Sequence, residues 1–143
     1  MPFADRLDAD LTILQDQVAG LDLPPAAVAL GAAELVEEVS EGKITGEEDR
    51  YSRTDLWDFA ANIEGARKVT GLLRPALEER DAALVDRIDE GFARVEEGLE
   101  PYRDGNGWRP YTELTDDDRT RLSADLADLA ESLSTVPGTL GLG

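Results

Sequence analysis

ITGEEDRYSRTDLWDFAAN, residues 44–62, changes character half-way along. Its first part holds a glycine, three consecutive acids at Glu47, Glu48 and Asp49, and no hydrophobic period, which reads as a loop. Its second part starts a helix. Ser52 or Thr54 supplies an N-cap, and Asp55 puts negative charge in the first turn, where the helix dipole favours it. Leu56, Phe59, Ile63, Ala66, Thr70 and Leu73 then recur at three, four, three, four and three. That spacing lines one face of an α-helix. The stretch also concentrates side chains able to do chemistry, so it either forms a site or simply begins a helix.

The flanking sequence repeats the helical pattern. Phe3, Leu7, Leu11, Leu14, Val18 and Leu21 predict an amphipathic helix over 2–20 that ends near Gly20. Pro24-Pro25 breaks the chain, and Pro25 opens a second helix whose apolar face is Val28, Ala32, Leu35, Val36 and Val39. Downstream, Pro75 is expected to end or kink the third helix, with a fourth running from about Pro75 to Tyr102 on Leu77, Leu84, Ile88, Val95 and Leu99. Asp104-Gly105-Asn106-Gly107 is a turn, and the loop continues through Trp108 and Tyr111. Thr115 caps a last helix with Asp116, Asp117 and Asp118 in its first turn, and Leu122, Leu126, Leu129 and Leu133 follow. Pro137-Gly138 is expected to end it. No alternating strand pattern and no internal repeat is present. The expectation is one all-α domain over 1–143, an up-and-down helical bundle of four to five helices.

Composition narrows the chemistry. The 143 residues carry 32 acids against 14 bases, a net charge of −18. Such a surface argues against nucleic acid and against an anionic membrane surface, and suits cations. With no cysteine and no histidine, a metal site built by this chain must be all-oxygen. That favours hard cations such as Ca²⁺, Mg²⁺ or Fe³⁺ over zinc. A serine-histidine-aspartate set or a zincin site cannot be assembled, and no phosphate-binding glycine loop is present. No run approaches the length of a membrane span, and Met1 is not followed by a signal-peptide pattern.

Asp55, Asp58 and Asn62 fall within about 60° of one another on their helix. Carboxylates at i and i+3 can share a cation; equally, Asp55 can be a helix-start acid and Asp58 a solvated one. Glu47, Glu48 and Asp49 add oxygens but lack the EF-hand spacing. They can equally be a solvated run. Trp57 lies more than about 100° from the main stripe and, with Ala61, Gly65 and Leu72, makes a second one. Either the bundle wraps that helix on both sides, or something outside the chain covers it.

The run KITGEEDRYSRTDLWDFAANIEGARKV, residues 43–69, closely resembles the C-terminal half of the imelysin-like domain of EfeO-type iron-uptake proteins. ADRLDADL, LPPAAVALGAAELVEEVS, LLRPALEE, YRDGNGW, YTELTDDDR and the closing LGLG extend the likeness over essentially the whole chain. The resemblance implies an exported, periplasmic or lipid-anchored protein built from two facing helical bundles. It further implies work with a membrane permease and a haem peroxidase in iron uptake. Some relatives carry a peptidase label that rests on a His-x-x-Glu motif in the first bundle. This sequence has no histidine, so on this resemblance it is a non-enzymatic second half, with Glu47, Glu48, Asp55 and Asp58 as candidate metal ligands, Asp5 as a weaker one, and Tyr51 and Asn62 lining the site. Iron or another hard divalent or trivalent cation is the implied cargo, not held tightly by this chain alone. Trp57, Ala61 and Leu72 are the expected interface, either with the missing N-terminal bundle or with a second copy in a homodimer. A non-catalytic interaction module that homodimerises or pairs with a separate first-half protein is the alternative reading, and an imelysin-type metallopeptidase is the third, less favoured one.

Overall fold

Four apolar helical faces converge on one core. The computed structural model describes residues 2–41, 43–46 and 49–142. In chain order it contains α1 (Pro2–Ala19), α2 (Pro25–Glu41), a 3₁₀ turn (Lys43–Thr45), α3 (Asp55–Arg80), α4 (Ala82–Leu99) and a 3₁₀ turn (Glu100–Tyr102). A hairpin of two-residue strands follows, β1 (Arg103–Asp104) and β2 (Gly107–Trp108), paired antiparallel. The chain closes with a 3₁₀ turn (Tyr111–Glu113), α5 (Asp116–Ser134) and the short α6 (Val136–Leu140). The protein is thus an all-α, up-and-down arrangement of five long helices. The core is built by α2, α3, α4 and α5, with Phe59, Leu77, Phe92, Val36, Leu122 and Leu129 among its fully buried side chains.

The α4–α5 contact is close because α4 presents glycine there. A Cβ on Gly98 would lie 2.6 Å from Leu122 Cδ2, and one on Gly91 would lie 3.0 Å from Leu129 Cδ1. These glycines are seven residues apart and so are the leucines, so two turns of each helix interlock along one line. The N-terminus of α5 is tied to the same corner. The Asp118 amide donates to Thr115 Oγ1 at 3.1 Å, the expected cap. Thr115 Oγ1 and Tyr102 Oη both donate to Asp118 Oδ2. The Thr115 hydroxyl, and after it that of Tyr102, holds the Asp118 carboxyl below the usual carboxylate range. Burial, and after it the bond to Asp118, pushes the Tyr102 phenol up.

Two expectations fail. The helix does not stop at Pro75 but runs on to Arg80. Proline removes only the amide that would reach the Gly71 carbonyl, and both residues are exposed, where water can serve that oxygen. The break falls at Asp81, whose backbone leaves helical space at φ −153°, whose amide donates to the Leu77 carbonyl at 2.7 Å, and whose side chain accepts from the Leu84 amide at 2.9 Å. Likewise α5 ends at Ser134, just before Pro137-Gly138, but these residues lie within the short α6, where Pro137 sits in the first turn and its missing amide costs nothing. The first helix forms as expected but buries nothing. Every residue from Phe3 to Pro25 is exposed, and Leu7, Leu11, Leu14 and Val18 each show about half their surface.

Two outcomes follow. Pro75→Ala restores a helical hydrogen bond at an exposed site and is expected to raise stability by about 1–3 kcal/mol in urea unfolding. Stability contributed by Asp118 is complete above the ordinary carboxylate range and lost as pH falls through its depressed value. That contributed by Tyr102 is complete below the ordinary phenol range and lost as pH rises through its raised value. Tyr102→Phe is therefore expected to flatten the stability profile at both ends, measured by urea unfolding from acid to alkaline pH.

Candidate functional site

The loop between α2 and α3 is fixed by its backbone and by one aromatic ring. Gly46 has φ +69°, and a Cβ there would sit 2.0–2.4 Å from three carbons of the Tyr111 ring. Glycine is required twice over, for the left-handed backbone and for the contact. Tyr111 is buried, and its amide donates to the Arg53 carbonyl at 3.0 Å. Arg53 itself sits at φ 63°, a left-handed conformation that costs a non-glycine residue on the order of 1 kcal/mol. Its amide donates to the Asp49 carbonyl at 2.8 Å, which closes the turn. Arg119 from α5 lies over the other side of this assembly, its guanidinium 5.2 Å from the Tyr111 ring centre, bonded to the Leu114 carbonyl and to Asp116.

Asp55 lies inside this frame and is fully buried. The Asp49 amide donates to its Oδ1 at 3.1 Å, and Thr54 Oγ1 donates to Asp49 Oδ2 at 2.5 Å. Asp55 Oδ2 is buried and has no hydrogen-bond partner among the described residues. A buried carboxylate oxygen without a partner costs free energy, so it requires a reason.

The other candidates are placed differently. Asp58 is exposed one turn along α3, and Asn62 is half-buried beyond it. Tyr51 is 97% exposed. Asp5 stands in the first turn of α1, on the exposed helix. Glu47 and Glu48 lie outside the described residues. Among the described residues no group of three or more acidic side chains is arranged to hold a metal ion. The structure thus joins Asp55 to Asp49, which the sequence reading had only as a loop acid. It also supplies Tyr111 and Gly46, which that reading passed over.

The Trp57 face is a separate surface. The Trp57 indole lies across Gly107, where a Cβ would be 2.0 Å from its ring, yet Trp57 remains 48% exposed and Leu72 68%. Ala61 is exposed between them. A cleft of about 510 Å³ separates α3 from the hairpin, walled by Trp57, Trp108, Arg67, Glu96, Arg103 and Glu100. Four of its charges pair with one another: Arg67 bonds Glu96, while Arg103 bonds Glu100 and stacks 4.2 Å over Trp108. The bundle does not wrap α3 on this side.

A family model for imelysin, designated peptidase M75, matches residues 2–136. The chain belongs to the imelysin family. Its relatives include the iron uptake system component EfeO of Yersinia pseudotuberculosis serotype I (strain IP32953), 50% identical over 140 residues, which is 98% of this chain and 37% of the relative. EfeO of Yersinia pestis is likewise 50% identical with the same coverage. EfeO of Escherichia coli O157:H7 is 46% identical over the same share of each. This imelysin-family chain therefore spans 37% of the length of the relatives it matches. The peptidase designation finds no histidine in it to work with. No helix among the described residues is long and apolar enough to cross a membrane.

Gly46→Ala must displace the Tyr111 ring and hold a left-handed alanine, so it is expected to destabilise by about 2–4 kcal/mol in urea unfolding. Arg53→Gly, which removes only backbone strain, is expected to be neutral or stabilising in the same assay.

Proposed function

We propose that this chain is the C-terminal half of the imelysin-like domain of an EfeO-type iron-uptake component. In this reading the loop before α3 and the start of α3 form one wall of a site for a hard cation. The observation that carries the site is the buried Oδ2 of Asp55, without a hydrogen-bond partner among the described residues and held by a strained and otherwise well-bonded loop. The identity with EfeO over 98% of the chain supports the biological setting. Carboxylate oxygen suits ferric or other hard cations. Asp55 is the anchor, with Asp58, Glu47, Glu48 and, more weakly, Asp5 as further oxygens, and Tyr51 and Asn62 at the margin. The opposite wall belongs to an N-terminal bundle carrying the His-x-x-Glu motif. The periplasmic setting, the permease and the haem peroxidase come with this reading.

The test pairs binding with stability. Titration calorimetry of the 143-residue chain with ferric citrate or Ca²⁺ is expected to show only weak binding. Asp55→Asn keeps an oxygen for the Asp49 amide while removing the carboxylate. It is expected to weaken cation binding further yet raise stability by about 1 kcal/mol, because an unmatched charge is lost. Tight binding by this chain, abolished by Asp55→Ala or Asp58→Ala, would overturn the half-site. A stability loss above about 2 kcal/mol in Asp55→Asn would make the carboxylate structural instead.

A further inference from the structure

The hairpin that packs against Trp57 carries a chemistry the cation site does not use. Its tip reads Asp104-Gly105-Asn106-Gly107. Asparagine is among the labile side chains of proteins, because the next backbone amide can attack its side-chain carbonyl. A following glycine has no side chain to hinder that attack. The sequence holds two asparagines, and only Asn106 precedes a glycine; Asn62 precedes Ile63 inside α3. Asn106 is exposed, so water reaches it.

The fold opposes the reaction. Gly105 takes φ +57° while Asn106 keeps a negative φ, the pattern of a II′ turn, whose twist matches its two strands. The Arg109 amide donates to the Tyr102 carbonyl at 2.8 Å, and the alternation of an antiparallel ladder makes Asp104 and Gly107 the next hydrogen-bonded pair toward the tip. A II′ turn holds ψ of its second central residue at roughly 0°, whereas closing a five-membered ring from Asn106 Cγ to the Gly107 nitrogen needs ψ turned by roughly 120°. That rotation pulls Gly107 out of the ladder. It is also blocked from outside: Gly107 is buried, and the Trp57 indole lies so near that a Cβ there would be 2.0 Å from the ring. Gly107 cannot swing without displacing the indole.

We propose that Asn106 is a site of spontaneous deamidation and that Trp57, seated on Gly107, holds it in the unreactive turn. The Gly107 amide nitrogen gives its proton to solvent and attacks Asn106 Cγ. The Cγ–Nδ2 bond breaks, ammonia leaves with a proton from water, and a succinimide closes. Water then opens either ring carbonyl, leaving aspartate or isoaspartate at position 106. Both products add a carboxylate to the rim of a cleft that already holds Glu64, Glu96 and Glu100. Isoaspartate also lengthens the main chain by one methylene, so the Asp104–Gly107 pairing is lost and the seat of Trp57 with it. The inner side of Trp57 therefore has a role whatever its exposed side meets. Asp55 takes no part, so this inference stands independently of the cation reading.

The test is peptide mass spectrometry of the 143-residue chain aged in mildly alkaline buffer. Trypsin cuts after Arg103 and Arg109, so the turn is read as the peptide 104–109. Its mass rises only when Asn106 loses its amide; isomerisation of Asp104 leaves the mass unchanged. The folded wild-type chain is expected to react at least about tenfold more slowly than the same chain in urea, because the turn must open first. Trp57→Ala, with its fold checked by circular dichroism, should react at least about threefold faster than wild type. Trp57→Phe, which keeps a smaller ring over Gly107, should fall between them and serves if the alanine variant does not fold. Asn106→Gln should show no gain, since its ring would need six members. No mass gain in urea would remove the site. A folded wild-type chain that reacts at the urea rate would overturn the protection, and Trp57 variants that match wild type would overturn the role of the indole.

Discussion

The placement of the Tyr111 ring against Gly46 determines where α3 begins. With the ring at that point, the loop backbone must pass over it without a side chain, and the Tyr111 amide then reaches the Arg53 carbonyl. Arg53 is forced into left-handed space, and the turn that follows delivers Asp55 into the interior. Each step is a consequence of the one before it. Asp55 is buried because a residue some 56 positions later, at the entrance to α5, anchors the loop. Long-range contacts of this type are what a local reading of residues cannot supply.

The chain therefore divides into a part that satisfies its own requirements and a part that does not. From α2 to α6 the core is closed, the α4–α5 seam interlocks through glycines, and the first turn of α5 is capped by its own hydroxyl and carboxylate groups. α1, the outer face of α3 and Asp55 Oδ2 are each incomplete in a different way: among the described residues, one lacks a hydrophobic neighbour, one lacks a ridge to fill it, and one lacks a hydrogen-bonding partner. Small domains retain such unmatched features where function or assembly completes them.

Periodicity made the helices legible, and the all-α class with it, because an apolar repeat near 3.6 needs no knowledge of what it faces. The α5 cap was equally legible: Thr115 followed by three aspartates names its own chemistry. Pro75 misled, because proline argues against a helix only through one amide and one carbonyl, and exposure makes both tolerable. The true break at Asp81 was hidden in a charged run, where an acid that caps the next helix looks like any other acid. α1 is the instructive case. Its repeat specified a helix and an apolar face, but the pattern says only that the face wants a partner, not that this chain provides one.

Legibility of the site was limited by the same distinction. Asp55 and Asp58 share a helix edge in sequence, yet one is fully buried and the other exposed, because the edge of a helix has no fixed depth until the loop in front of it is placed. The acid joined to Asp55 is Asp49, through its backbone amide rather than its charge. That contact also explains how a chain so rich in acids can bury one. The amide dipole supports one carboxylate oxygen and leaves the other without a hydrogen-bond partner among the described residues. On the proposed cation reading, such an oxygen is preorganised, since the cost of ordering and desolvating it is already met by folding.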